Sequence, residues 1–72
     1  MKQKLSQLRS NQTGRINSIS PQYLNSLLER GFIPGEEIEV RQILKSRLIV
    51  EVGGTSWGIE REIAASIEVI VD

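Results

Sequence analysis

One stretch, residues 20–35, restricts the fold of this chain more than any other. Its sequence, SPQYLNSLLERGFIPG, contains the start of a helix, its end and the turn that follows. Ser20 is predicted as the N-cap and Pro21 as the first helical residue, where a missing N–H costs no hydrogen bond. Gly31 is predicted to end the helix in the left-handed conformation, and Pro34-Gly35 to form a type II turn.

The same helix carries one apolar stripe. Leu24, Leu27 and Leu28 recur at positions i, i+3 and i+4, which predicts a face turned toward a core. Phe32 and Ile33 follow the helix and are expected to fold back onto these leucines. Since the remaining sequence has the alternation of strands, the helix is predicted to cover an otherwise all-β structure.

Five short strands are predicted, over residues 14–18, 36–42, 48–52, 55–60 and 67–71. Gly53-Gly54 is typical of a two-residue hairpin loop, because glycine accepts positive φ at both positions. Ile43 interrupts the alternation, so a bulge or bend is expected there. Residues 61–66 are predicted to form a single 3₁₀ turn.

The N-terminal segment, residues 4–11, is polar except for Leu5 and Leu8, and is predicted to cover one open end of the core. Five strands at close spacing favour a small barrel, because closure removes exposed sheet edges. The predicted fold is therefore all-β with one short helix, a five-stranded barrel with a helical insertion after the first strand. Residues 1–72 are predicted to form a single domain.

Composition excludes several kinds of chemistry. The chain has no cysteine and no histidine, which removes disulfides, the usual transition-metal ligands and the Ser-His and Cys-His nucleophile pairs. Nine basic and nine acidic residues cancel, and a neutral domain is a poor nucleic-acid binder. Glu36, Glu37 and Glu39 are predicted to be a solvated strand face. We therefore predict no enzyme activity, no metal site and no cofactor.

The chain begins with Met1-Lys2-Gln3-Lys4 and contains no long apolar run. These features are unlike a signal peptide or a membrane span, so we expect a cytoplasmic location and no direct membrane insertion.

Arg15 is the most ambiguous charged residue. It can pair with Glu29 or Glu39, remain as plain surface decoration, or contact a partner. The sequence leaves these alternatives open.

Apolar residues at positions predicted to face outward are the best indication of a partner surface. These are Ile43, Leu44, Ile49 and Ile70. Single exposed hydrophobic residues are ordinary on protein surfaces, whereas a cluster of them would mark a docking site for another protein or for a second copy. An aromatic peptide groove is less favoured, because Phe32 and Trp57 are predicted to lie in the core.

Several segments together resemble the FeoA family of bacterial ferrous-iron transport proteins. They are Leu5-Ser6-Gln7-Leu8, Gly14-Arg15-Ile16, the block LLERGFIPGEEIEV over residues 27–40, and AASIEV over residues 64–69. The combination of Gly-Phe-x-Pro-Gly with an upstream Gly-Arg-Ile is the most specific part.

This resemblance implies an SH3-like barrel in the cytoplasm that works without catalysis as a partner of FeoB, a membrane protein with a GTPase domain and an iron pore. Apart from this resemblance, the outward-facing apolar residues also leave a weak homo-oligomer open. The same resemblance admits a second function, the SH3-like module of a DtxR-type metal-dependent regulator; the lack of a helix-turn-helix in 72 residues favours the first. The chain departs from the family in its short loop, Ile43–Arg47, which lacks proline, and at Ile59-Glu60, where a charge is inverted.

Overall fold

Six antiparallel strands form one curled sheet in the computed structural model, which describes all 72 residues. The elements in chain order are β1 (Lys2–Lys4), a 3₁₀ turn (Leu5–Gln7), β2 (Thr13–Ile19), α1 (Pro21–Glu29), β3 (Glu37–Ile43), β4 (Arg47–Val52), β5 (Thr55–Glu60), α2 (Arg61–Ala64) and β6 (Ile67–Ile70). The predicted all-β class with one inserted helix is confirmed.

The strand order across the sheet is β1-β6-β2-β3-β4-β5, so β1 and β5 are its two edges. The 3₁₀ turn contacts β6, and α2 contacts both the 3₁₀ turn and β5. These two short elements therefore connect the two sides of the curled sheet where no strand pairing does.

The structure has one strand more than the sequence predicts, because residues 2–4 form β1. β1 pairs with β6, with Lys2 opposite Ile70 and Lys4 opposite Glu68. The N-terminal ammonium also donates a 2.8 Å hydrogen bond to the Val71 carbonyl oxygen. Since β1 precedes the predicted first strand, the helix follows the second strand of the sheet.

Sixteen buried hydrophobic residues form one core, and no polar or charged residue is buried. Leu5 and Leu8 belong to this core, which confirms that the N-terminal segment covers one end of it. The predicted inward positions of the strands are confirmed as well, at Ile16, Ile38, Val40, Leu48, Val50, Val52, Ile59, Ile67, Val69 and Val71.

Helix α1 begins and ends where predicted. Pro21 is its first residue, and Gly31 has a φ of 93°. Ser20 occupies the N-cap position, but its hydroxyl makes no capping hydrogen bond. Its backbone is used instead: its amide donates to the Ser66 carbonyl and its carbonyl accepts from the Tyr23 amide, each at 3.0 Å.

The predicted apolar stripe of α1 is only partly correct. Leu27 is buried and Leu24 half-buried, whereas Leu28 is 36% exposed and Ile33 48% exposed. The Phe32 amide bonds to the Leu27 carbonyl at 3.0 Å, which places the fully buried Phe32 ring on the core side. Leu28 lies about 100° farther around the helix than Leu27, so it faces away.

The turns agree with the sequence, and the irregular segments differ slightly from prediction. Gly35, Gly53 and Gly54 all have positive φ. The register between β3 and β4 shifts between Val40 and Gln42, so the bulge lies at Arg41 and not at Ile43, which stays in β3. Residues 61–64 form one turn of α-helix instead of the predicted 3₁₀ turn.

Candidate partner-binding surfaces

The five residues predicted to contact a partner lie in two separate places. Arg15 and Ile70 are directly opposite each other on β2 and β6. The other three lie at the far side of the sheet. Ile43 is the last residue of β3, Leu44 is in the loop that follows, and Ile49 is in β4. Between Ile70 and Ile49 there are three strand spacings, about 14 Å across the sheet. The structure therefore forms two surfaces and no single patch.

The first surface is a polar groove of about 350 Å³ beside Arg15. It is lined by Gln12, Thr13, Gly14, Arg15, Glu37, Ile70, Val71 and Asp72. Arg15 is exposed and makes no ion pair, since the only salt bridges join Arg41 to Glu39 and Glu51. Of the alternatives that the sequence leaves open for Arg15, pairing with Glu29 or with Glu39 is not present. Its guanidinium is left free at the edge of this groove.

The position before Arg15, occupied by Gly14, has little room for a side chain. A Cβ at this position would lie 3.2 Å from both Cβ and Cγ2 of Val69, closer than most such contacts in proteins. The side chain of Val69 therefore occupies the space above Gly14, and β2 and β6 approach closely there. The glycine permits the close strand pairing in which Arg15 lies opposite Ile70.

The second surface depends on a loop that Arg61 holds in place. Arg61 Nε donates to the Lys45 carbonyl oxygen at 3.0 Å, and its Nη2 donates to the Leu44 carbonyl oxygen at 3.1 Å. The Arg61 amide also donates to the Ser46 carbonyl oxygen at 3.2 Å. One residue thus satisfies three successive carbonyl groups and gives the loop a defined shape.

This loop presents two aliphatic side chains to solvent. Ile43 is 39% exposed and Leu44 is 37% exposed. Ile49 is half-buried, because its Cδ1 lies over Gly58, 3.5 Å from the place a Cβ would take there. The Arg61 contact was not predicted, since nothing in the sequence pattern connects an arginine after β5 with a loop 16 residues earlier. We define Ile43 and Leu44 as the loop pair.

An acidic row crosses the outer face of the sheet without forming a metal site. Glu39 and Glu51 are directly opposite each other on β3 and β4. Arg41 Nη1 lies 3.1 Å from a Glu39 carboxylate oxygen and 3.2 Å from one of Glu51, which relieves their repulsion. No three carboxylates of the chain come together in a way that could hold a metal ion.

The aromatic residues pack on one another. The rings of Phe32 and Trp57 lie 6.4 Å apart at an interplanar angle of 59°, and the Arg30 guanidinium lies 5.7 Å from the Trp57 ring centre. Trp57 is half-buried, in the same phase as the buried Ile59. Its indole Nε1 is buried and has no hydrogen-bond partner. This packing supports the predicted core role of Phe32 and Trp57.

No helix of the structure has the length and apolar character that crossing a membrane requires.

The small curled sheet, with a helix inserted between β2 and β3 and a one-turn helix before the last strand, defines an SH3-like domain. The FeoA domain family matches residues 3–71, which is nearly the whole chain. The chain therefore belongs to the FeoA family, whose members are implicated in ferrous iron transport.

Three solved structures illustrate the likeness. Iron(II) transport protein A from Clostridium thermocellum is 32% identical, with a TM-score of 0.87, over 96% of this chain and 45% of that one. FeoA from Stenotrophomonas maltophilia, solved with zinc and described as a prokaryotic SH3 domain protein, is 25% identical, with a TM-score of 0.79, over 96% of this chain and 88% of that one. IdeR from T. acidophilum is 32% identical, with a TM-score of 0.87, over 99% of this chain and only 34% of that one. No curated protein sequence matches the chain.

Proposed function

We propose that this chain is a non-enzymatic accessory protein of bacterial ferrous iron uptake that acts in the cytoplasm by binding a FeoB-like membrane GTPase and transporter. The membership in the FeoA family carries this proposal. An activating role in ferrous iron transport has been suggested for the S. maltophilia relative. The residue types of this chain are consistent with action by contact, because no nucleophile–base pair containing cysteine or histidine is present.

The loop pair is the part of the surface that we assign to this contact. Ile43 and Leu44 are neighbouring aliphatic side chains, and Arg61 holds the backbone that carries them. A surface that is already ordered loses less conformational entropy when it binds than a flexible one does. Arg15 and Ile70 form a smaller second surface, whose contribution the same experiment can measure separately.

Binding to the purified cytoplasmic GTPase domain of FeoB from the same organism tests the proposal. Titration calorimetry is expected to show a one-to-one complex with the wild-type chain. The double variant Ile43→Lys/Leu44→Lys should bind about tenfold more weakly or worse, because two charges would replace apolar contacts at the centre of the interface.

A matched control comes from the other exposed aliphatic residues. Leu28 and Ile33 have similar exposure, at 36% and 48%, but lie on and after α1. Leu28→Lys/Ile33→Lys adds the same charge and should leave binding unchanged. Equal losses in both double variants would mean that charge and not position matters, and unchanged binding in both would remove the loop pair from the interface. Absence of any complex with wild-type protein would contradict the proposed function itself.

The match to IdeR favours one second candidate, the barrel module of a metal-dependent transcriptional regulator. It covers 99% of this chain at 32% identity. In that case the chain should bind the DNA-binding and dimerisation part of an IdeR-type protein and show no affinity for FeoB. Parallel titrations against both partners distinguish the two functions.

A further inference from the structure

Two cations beside the loop pair have no ionic partner within the chain. Lys45 follows Leu44 in the loop, and Arg47 is the first residue of β4. Both are exposed, and neither forms an ion pair, because the only ion pairs of the chain are those of Arg41. Their charges are therefore available to another molecule.

The Arg47 guanidinium lies beside an aliphatic side chain and not beside a carboxylate. Its Nη1 is 3.7 Å from the place that a Cβ would take at the exposed Gly58, and Cδ1 of Ile49 is 3.5 Å from the same place. Glu60 is directly opposite Arg47 on β5, yet the two form no ion pair. The outer face next to the loop pair thus combines a free cation with apolar surface.

The opposite end of the same β3–β4 hairpin is acidic. A groove of about 350 Å³ beside the Gly53-Gly54 loop is lined by four glutamates and by no basic residue. The four are Glu36, Glu37, Glu39 and Glu51. β3 separates the two ends by about 20 Å, which is more than twice the Debye length of about 8 Å at physiological salt. The hairpin is therefore a dipole, with the loop pair at its positive end.

Two carboxylates after β5 reduce the positive charge of the loop end without cancelling it. Glu60 and Glu62 stand on either side of Arg61. Lys45, Arg47 and Arg61 outnumber them. Only Lys45 and Arg47 lie in the loop that carries the two exposed aliphatic side chains and at the start of the strand that follows it.

We propose that the loop pair is received by an acidic protein surface. This surface has an apolar recess for Ile43 and Leu44, and carboxylates at its rim pair with Lys45 and Arg47. The inference rests on the proposed function, because it describes the chemistry of the partner that binds the loop pair. An apolar centre within a polar rim is the usual construction of a specific protein interface.

The charges are expected to act mainly on the rate of association. Opposite charges at the rim of an interface steer the encounter, and salt screens this effect. The acidic end of the hairpin is repelled by an acidic partner, so the chain should approach with the loop pair in front. The rate of dissociation depends more on the apolar centre and should respond less to salt.

Stopped-flow binding to the FeoB GTPase domain at low and high salt tests the proposal. The association rate constant of the wild-type chain should fall about tenfold between about 20 mM and 500 mM sodium chloride. Lys45→Glu/Arg47→Glu should lower this rate constant about tenfold at low salt and change the dissociation rate constant less than about twofold. Lys45→Gln/Arg47→Gln, which only removes the charges, should have an intermediate effect.

A matched control changes the net charge by the same amount elsewhere. Lys4 and Arg9 are exposed, as Lys45 and Arg47 are, but they lie in β1 and after the 3₁₀ turn. Lys4→Glu/Arg9→Glu should change the association rate constant by less than about twofold. An equal loss in both charge-reversed variants would overturn the proposal, because net charge and not the loop end would then determine binding.

Zero-length cross-linking locates the carboxylates of the partner. A carbodiimide joins a lysine amine to a carboxylate that it contacts, and Lys2, Lys4 and Lys45 are the only lysines of the chain. Mass spectrometry should find partner peptides joined to Lys45 and not to Lys2 or Lys4. Lysine substitutions at the partner carboxylates found in this way should restore the association rate of Lys45→Glu/Arg47→Glu.

The outcomes separate this inference from the proposed function. Absence of a complex with the wild-type chain would contradict the proposed function and the inference with it. A complex whose association rate responds neither to salt nor to charge reversal at positions 45 and 47 would leave the proposed function standing and overturn the inference. Equally salt-sensitive binding to vesicles of equal parts phosphatidylcholine and phosphatidylserine, lost in Lys45→Glu/Arg47→Glu, would also overturn it, because the acidic surface would then be lipid.

Discussion

The two edges of the sheet differ in how well they resist pairing with another strand. β1 has three residues, two of which are lysines. β5 has six residues and a single charge at its last position. Short length and lysine are common protections of edge strands, and β5 has neither. The difference indicates that the β1 edge only completes the fold, whereas the β5 edge is available for contact.

The two edges are also supported differently from inside. β1 leads directly into the 3₁₀ turn that begins with the buried Leu5, so chain connectivity holds it. β5 is held by its hairpin with β4 and by Phe32, whose ring packs against Trp57.

Removing the Phe32 ring should have the largest effect on the β5 side. Phe32 is fully buried, and Phe32→Ala should lower the free energy of unfolding by about 3–5 kcal/mol, through lost burial and the cavity left behind. Urea denaturation measures this loss. The neighbouring variant Ile33→Ala, at a 48% exposed position, should change the stability by less than about 0.5 kcal/mol. Similar values for the two variants would contradict the anchoring role of Phe32.

Alanine substitutions at the two strand glycines should change the stability of the fold in opposite directions. Gly14→Ala places a Cβ 3.2 Å from the Val69 side chain inside the sheet and should cost about 1–3 kcal/mol. Gly58→Ala, on β5, meets only ordinary contacts, 3.5 Å from Ile49 and 3.7 Å from the Arg47 side chain, and should stabilise the fold by about 0.5 kcal/mol. Thermal unfolding of both variants in dilute solution measures the contrast. A destabilised Gly58→Ala would mean that the β5 edge is less open than its exposure indicates.

Arg61 determines how β5 ends and how the loop pair is presented. Arg61→Ala removes its side-chain hydrogen bonds to the Leu44 and Lys45 carbonyls and should cost about 1 kcal/mol, since these groups are exposed and water replaces the lost bonds. Hydrogen exchange should accelerate at residues 44–47 and remain unchanged in β1. Arg9→Ala, which removes an exposed arginine whose side chain makes no hydrogen bond, serves as control.

The smallest effect should come from removing the protection of β1. Lys2→Thr/Lys4→Thr should change the stability by less than about 0.5 kcal/mol, because both side chains are exposed. It should increase self-association only slightly, since a three-residue strand offers few backbone groups. Sedimentation equilibrium measures this. A large increase would show that lysine, and not strand length, is the main protection of this edge.

Much of the fold could be predicted because its signals are local. The glycines at positions 31, 35, 53 and 54 have the positive φ that the turns required, and the alternation of Ile38 with Val40 placed β3 correctly. β1 could not be predicted in this way. Its three polar residues form a strand only because β6, far away in the sequence, offers a free edge.

The candidate surfaces were predicted less well, for a similar reason. The alternation indicated which side chains face outward, and Ile70 is indeed exposed. It could not show that Ile70 lies beside Arg15 while Ile49 lies on the far side of the sheet, because that depends on strand order. Leu28 was assigned to the core from its helical spacing, yet it lies about 100° farther around the helix than the buried Leu27 and is 36% exposed.

The pairing of β1 with β6 has a kinetic consequence. The hydrogen bond between the N-terminal ammonium and the Val71 carbonyl joins groups 70 positions apart in the chain, and Lys2 pairs with Ile70 beside it. Contacts at such separation require the closure of a loop that includes almost every residue, which slows the search for the native arrangement. Refolding is therefore expected in milliseconds to seconds instead of microseconds, and the amides of β1 should be the last to gain protection in a pulse-labelling experiment.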